Sequence, residues 1–234
     1  MKTIFALFLI GLLFSACKTA PKKEKNTSLF SDYFYPNRDK TPLIYIYQDS
    51  VNGLNEKFFR TYTTEGEDQN FFNVERYSAD FRITEAYQYS LRDSLRINDH
   101  MVVDGYGEKR KAKVRANYLL PRTLNDESFF SSSFPSQLDS VILIYEVKST
   151  VLNTDHSVQF NGTEHQAIVV RDSLKYQVYN PITQKAKSTI VAQNSVYAKG
   201  LGLYSYGSVK NSILFKLQKT LTEEEWRAVK KTAM

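Results

Sequence analysis

An alternation of period two most restricts what this chain can fold into. From residue 43 to about residue 218, apolar and polar side chains keep trading places. That period suits a strand with one buried face, whereas an amphipathic helix needs 3.6. Leu43, Tyr45 and Tyr47 oppose Ile44 and Ile46, and the pattern returns over 56–63, 71–81, 83–91, 95–105 and 108–118. It continues over 141–147, 158–161, 166–171, 174–179, 186–193, 196–204 and 213–217. Asn52-Gly53, Glu65-Gly66-Glu67-Asp68, Asn161-Gly162 and Asn180-Pro181 supply turns between the runs. A hairpin is expected around Gly105-Tyr106-Gly107, and Val141 to Val147, the most apolar run, is expected at the centre of the sheet. Sixteen Tyr and fifteen Phe against nine Gly add the broad aromatic faces that strands accommodate.

One helix stands out, at the C-terminus. Thr222 and Glu225 form a capping box, Glu223 to Glu225 suit the positive helix end, and Lys230 and Lys231 suit the negative one. Trp226 and Val229 share a face that is expected to pack on the sheet. The longest irregular stretch is Arg122 to Ser136, with Phe129, Phe130 and Phe134 among serines. It is read either as a lid over an apolar cavity or as a loop that tucks its rings into the core. No break in composition divides two domains.

The first residues carry a different pattern. Lys2 precedes an apolar run from Ile4 to Phe14, followed by Ser15, Ala16 and Cys17. A charged start, a short apolar core and small residues are the marks of a secretory signal. The run falls short of the roughly 20 residues that a bilayer span needs. Phe14-Ser15-Ala16-Cys17 resembles the lipobox of bacterial lipoproteins. The resemblance implies cleavage before Cys17, the only cysteine, and its acylation. It divides the chain into a signal peptide (1–16), a lipidated Cys with a polar, lysine-bearing tether (17–28) and a β-rich domain (29–234). Two or more acyl chains hold a protein stably where one does not. Lys18 stands where an inner-membrane retention signal would have Asp, and the tether lacks the acidic tag of surface-displayed Bacteroidota lipoproteins. The expected place is therefore the cell envelope, at the periplasmic side of the outer membrane.

Charge and motifs exclude more than they assign. The formal charge of +6 is modest and sits partly in the tether, so it gives no argument for nucleic acid. His100, His156 and His165 are widely spaced, no second Cys joins them, and no metal or cofactor site is expected. Asp155-His156-Ser157 holds the triad residue types only as neighbours, and no nucleophile elbow is present. Gly200-Leu201-Gly202 leads into strand-like residues rather than a helix, which suggests a bend or bulge and not a phosphate loop. Lys109, Lys111, Lys113 and Arg115 alternate with Arg110, Ala112 and Val114, placing four cations on one strand face. That face is a solvated surface or a contact for anionic headgroups. Asp-Ser followed by an apolar residue recurs at Ser50, Ser94, Ser140 and Ser173. The repeat resembles the O-glycosylation sequon of Bacteroidota, with turn-then-strand chemistry as the competing explanation.

Val196-Tyr197-Ala198-Lys199-Gly200-Leu201-Gly202-Leu203-Tyr204 resembles the Y-A-x-G-[VIL]-G strand of uncharacterised envelope proteins, many of them Bacteroidota lipoproteins. Some of these are similar in shape to the half-barrel of lipoprotein carriers. The resemblance implies a mainly β fold: a large curved antiparallel sheet, half-barrel-like, with one C-terminal helix. Its concave face could hold a lipid or other apolar ligand, with Tyr145, Tyr176 and Phe215 as lining and Phe129, Phe130 and Phe134 as a lid. The expected function is a non-enzymatic, lipid-anchored binding module. The alternatives are an interaction protein docking an envelope partner through its sheet, and then a hydrolase. A cavity of several hundred cubic ångströms would favour the first, a filled core with an exposed apolar patch the second, and convergence of His, Ser and a carboxylate the third.

Overall fold

The computed structural model describes residues 30–35, 41–51, 53, 55–67, 69–90, 95–104, 106–118, 120–121, 123–136, 141–208, 210 and 213–233. The signal, Cys17, the tether, Ser94 and Ser140 lie outside them. The strands, in chain order, are β1 (Leu43–Asp49), β2 (Glu56–Glu65), β3 (Asn70–Tyr77), β4 (Ile83–Ser90), β5 (Arg96–Val103), β6 (Lys109–Lys111) and β7 (Lys113–Asn117). They continue as β8 (Glu127–Pro135), β9 (Ile142–Phe160), β10 (Thr163–Asn180), β11 (Lys185–Ala198), β12 (Gly202–Ser208) and β13 (Leu214–Thr222), and one helix, α1 (Glu223–Ala233), follows.

All thirteen join one antiparallel sheet, ordered β6-β5-β4-β3-β2-β1-β13-β12-β11-β10-β9-β8-β7. The sheet is curved and not closed, yet its two outermost strands, β6 and β7, are separated in the chain by Ala112 alone. Ala112 is buried and its N–H bonds the His100 carbonyl at 2.9 Å; a single bridge, Arg96 with Tyr118, adds a second link across the gap. The sheet thus curls until its ends meet at a seam.

The alternation decides what the curl encloses. Tyr45, Tyr47, Phe59, Phe72, Val74, Tyr87, Tyr89, Ile97 and Phe130 belong to one buried cluster on the concave side. Ile44, Ile46, Phe58 and Leu221 have the opposite parity and form a second cluster outside, closed by Trp226 of α1. The helix starts at the expected cap: the Thr222 N–H donates to Glu225 at 2.7 Å, and the Glu225 N–H donates to Thr222 Oγ1 at 3.3 Å. Trp226 is fully buried, whereas Val229 is 37% exposed.

A short 3-10 turn, Ser31–Tyr33, leads Phe34 and Tyr35 into one end of the curl, here called the base. Phe34 meets Phe72 and Tyr89 edge-on, Tyr35 meets Tyr45, and the Gly200 N–H donates to the Asp32 carbonyl at 3.2 Å. Gly202, at φ +90°, lies under Tyr35, and a Cβ there would stand 2.7 Å from that ring. This aromatic plug fills the base. The opposite end, the mouth, carries the turns at 78–82 and 181–184.

Several local expectations need correction. The stretch 122–136 is not a loop throughout: Glu127–Pro135 is β8, in register with β9 from Glu127↔Thr150 to Pro135↔Ile142. Its serines carry little strand propensity, and pairing with the apolar β9 outweighs that. The run at Val141 to Val147 begins β9, which lies third from one end of the sheet and not at its centre. β9 and β10 run unbroken for 19 and 18 residues, where alternation alone gives shorter pieces, because bulges at Val169 shift the face mid-strand. Lys199, Gly200 and Leu201 form the hairpin turn between β11 and β12, not a bend within one strand.

Candidate functional site

Between the base plug and the mouth the interior is not filled. A cavity of about 240 Å³ lies among Arg76, Tyr87, Phe130, Tyr145, Asp172, Tyr176, Gln193 and Tyr197. A second, of about 220 Å³, is lined by Glu85, His100, Val102, Phe134, Leu143 and Val178 towards the mouth. Arg76, Tyr145 and Tyr176 line both, so the two spaces adjoin. Each is smaller than the ~300–1,000 Å³ of sites for drug-sized ligands.

Arg76 comes from β3, on the parity of Phe72 and Val74. Its guanidinium sits between the rings of Phe59 and Tyr87, 4.9 and 5.0 Å from their centroids, and Nη1 donates to Glu85 at 2.8 Å. It lies deep in the fold, yet 36% of its side chain remains open, onto the internal space. Nε is sealed and has no acceptor. Burial opposes its charge, and the Glu85 carboxylate more than offsets this, so Arg76 stays protonated.

Glu85 accepts from the Tyr87 hydroxyl as well and lies 3.0 Å from His100 Nε2. Burial would raise its carboxyl, but Arg76, His100 and Tyr87 together bring it down to about 2. Across the cavity, the buried Asp172 of β10 accepts from the Ser149 and Ser195 hydroxyls, both at 2.6 Å. There burial dominates and moves the carboxyl above its ordinary value. Burial likewise raises the Tyr145 hydroxyl well above its usual range and shifts the Tyr176 hydroxyl upward.

His100 Nδ1 lies 2.9 Å from Ser132 Oγ, so Ser132, His100 and Glu85 form a hydrogen-bonded chain. The residue types are those of a triad, but the ring nitrogens are used in the opposite sense: here the serine is on Nδ1 and the carboxylate on Nε2. Ser132 is 0% exposed in mid-β8 and lines neither cavity. In this position the chain satisfies a buried imidazole stacked on Tyr87. Asp155, His156 and Ser157 follow one another along β9, with His156 exposed. Among the described residues, no group of three His, Cys, Asp or Glu could hold a metal, and no helix is long and apolar enough to cross a membrane.

Four of the aromatics singled out in the sequence reach the interior. Tyr145 and Tyr176 stack at 5.1 Å, Phe130 is buried against His100, and Phe134 lines the mouth cavity. Phe215 stacks behind Tyr206, and Phe129 points outward, so neither lines the two cavities. Lys109, Lys111, Lys113 and Arg115 all face out across β6 and β7, with Lys111 paired to Asp99 at 2.8 Å. Ser50 is exposed and donates to the Leu214 carbonyl at 3.0 Å, and Ser173 is half-buried on β10.

No family model matches the chain. No curated protein matches it either. The chain is distantly similar to two solved structures. One, described as a lipoprotein of Parabacteroides distasonis, has 10% identity and a TM-score of 0.49, over 81% of this chain and 98% of that one. The other, described as an exported protein of Bacteroides fragilis with a YmcC-like fold, has 10% identity and a TM-score of 0.39, over 81% of this chain and 99% of that one. At these scores neither bears on what this chain does.

Proposed function

We propose that the chain is an exported envelope lipoprotein, acylated at Cys17, whose curled sheet is a non-enzymatic binding module for a small amphipathic ligand. The carrying observation is the pair of adjoining cavities, one half polar around Arg76 and Asp172, the other mainly apolar towards the mouth. A core built only for stability would close such space, since interiors pack to crystal-like density. The anchor rests on the Phe14-Ser15-Ala16-Cys17 pattern. Its partners on this reading are the membrane, through the acyl chains, and the ligand.

Native mass spectrometry of protein from its own host tests both halves. The expected spectrum shows acyl mass on the N-terminal peptide and a small non-covalent adduct on the folded chain. An unmodified thiol at Cys17 would overturn the anchor. A chain that carries no adduct and takes none from a lipid extract would overturn the module.

A docking role is the second reading, supported by the β10–β11 hairpin, whose Ile182 and Ile190 are 77% and 65% exposed. Replacing both with Asp should leave ligand uptake intact. Loss of an envelope partner in crosslinking, with ligand uptake unchanged, would favour docking. For the hydrolase reading, labelling of Ser132 by a fluorophosphonate probe decides, and no labelling is expected.

A further inference from the structure

Granting the binding module, the chemistry around Arg76 narrows its ligand. Arg76 carries five N–H donors in a planar fork. Among the described residues it donates to Glu85 alone, through Nη1. On the outer face of the same sheet, Arg60 shows what the fork can hold, with carboxylates of Glu75 and Glu223 on it at 3.0 and 2.8 Å. Arg76 has one such partner and an open third of its side chain facing the cavities.

We infer that the ligand is an aliphatic monocarboxylate, its carboxylate on the open side of the Arg76 guanidinium and its chain running towards the mouth past Phe134, Leu143 and Val178. A cationic head would meet Arg76. An alcohol would leave a desolvated guanidinium half-satisfied, and buried polar groups without partners are costly. Of the two carboxyl groups nearby, Glu85 already takes hydrogen bonds from Arg76 and Tyr87 and sits against His100. Asp172 has its oxygens on Ser149 and Ser195. The volume of about 220 Å³ limits the tail to a short chain.

The test uses the mature chain (17–234) carrying Cys17→Ser, which has neither the apolar leader nor an acyl chain and so needs no detergent, and calorimetric titration with octanoate, octanol and octylammonium. Octanoate should bind at least tenfold more tightly than octanol, with octylammonium weakest. Equal binding of all three, or preference for octanol or octylammonium, overturns the carboxylate and leaves the binding module standing. If none binds, the module falls with it. Val178→Trp should block octanoate at the mouth while circular dichroism and melting stay unchanged, and undiminished binding would overturn the placement. The pair R76Q/E85Q removes both charges together and should erase the preference for octanoate over octanol. A preference that survives in the folded double variant would also overturn the assignment.

Discussion

At the scale of single residues, the interior is a set of opposed electrostatic choices. Glu85 is held at about 2 in the fold, below the ordinary glutamate value. A lowered folded value means that Glu85 contributes stability above about pH 4.5 and loses it as pH falls towards about 2. The shift corresponds to about 3 kcal/mol. Glu85→Gln should therefore lower stability at pH 7 by about that amount and flatten the acid limb of the unfolding curve. Denaturant titrations from pH 2 to 7 measure this, and an unchanged acid limb would show that Glu85 is not the group responsible. Asp172 has the opposite sign. Its folded value is raised, so its contribution is complete below the unfolded value and declines as pH rises through the folded one. Asp172→Asn should be as stable as the parent at pH 7 or more so, with any advantage gone below about pH 4. The sequence held a trace of this site. Phe72, Val74 and Arg76 share a parity, which put a cation on a strand's apolar face, but parity names no partner. Glu85 faces Arg76 directly in the register of β3 and β4, and His100 stands on the next strand. Asp172, on β10, lies far off in the strand order, and only the curl of the sheet brings it to the same cavity.

At the scale of elements, the strands were legible where one face was apolar and the other polar. β4 shows this well, with Tyr87 and Tyr89 buried and Gln88 and Ser90 on the other face, and the C-terminal helix announced itself through its capping box. β8 was not legible, because a serine-rich strand with phenylalanines on both faces has no apolar stripe, and its partner β9 decides its conformation. The glycines of the β11–β12 turn separate two requirements. Gly200 and Gly202 both have positive φ, but only Gly202 lies against Tyr35 of the base plug. Gly202→Ala should cost about 3 kcal/mol, combining left-handed strain with overpacking. Gly200→Ala, with open space at its Cβ, should cost only the strain, about 1 kcal/mol. Equal losses in parallel denaturation curves would show that the plug does not press on the turn.

At the scale of the whole molecule, the curl matters because a flat sheet would leave the concave face, with its buried charges, in water. No strand signal specifies that the first and last strands of the order should be consecutive in the chain. That follows from β6 and β7 being two halves of one basic run, the first paired to β5 and the second to β8. Their shared outward cations were visible as alternation, whereas the exchange of partners at Ala112 was not. The Ala112 N–H bond to His100 ties the seam directly to the Glu85–His100–Ser132 chain. Ala112→Pro removes that donor and should loosen the seam without dissolving the plugged base. Hydrogen exchange read by mass spectrometry should then show faster exchange across β5, β6, β7 and β8. Protection in β1, β12 and β13, on the far side of the curl, should stay near the parent's. Uniform loss of protection would mean that the sheet opens as a single cooperative unit. Protection unchanged everywhere would mean that the ends hold together without this bond.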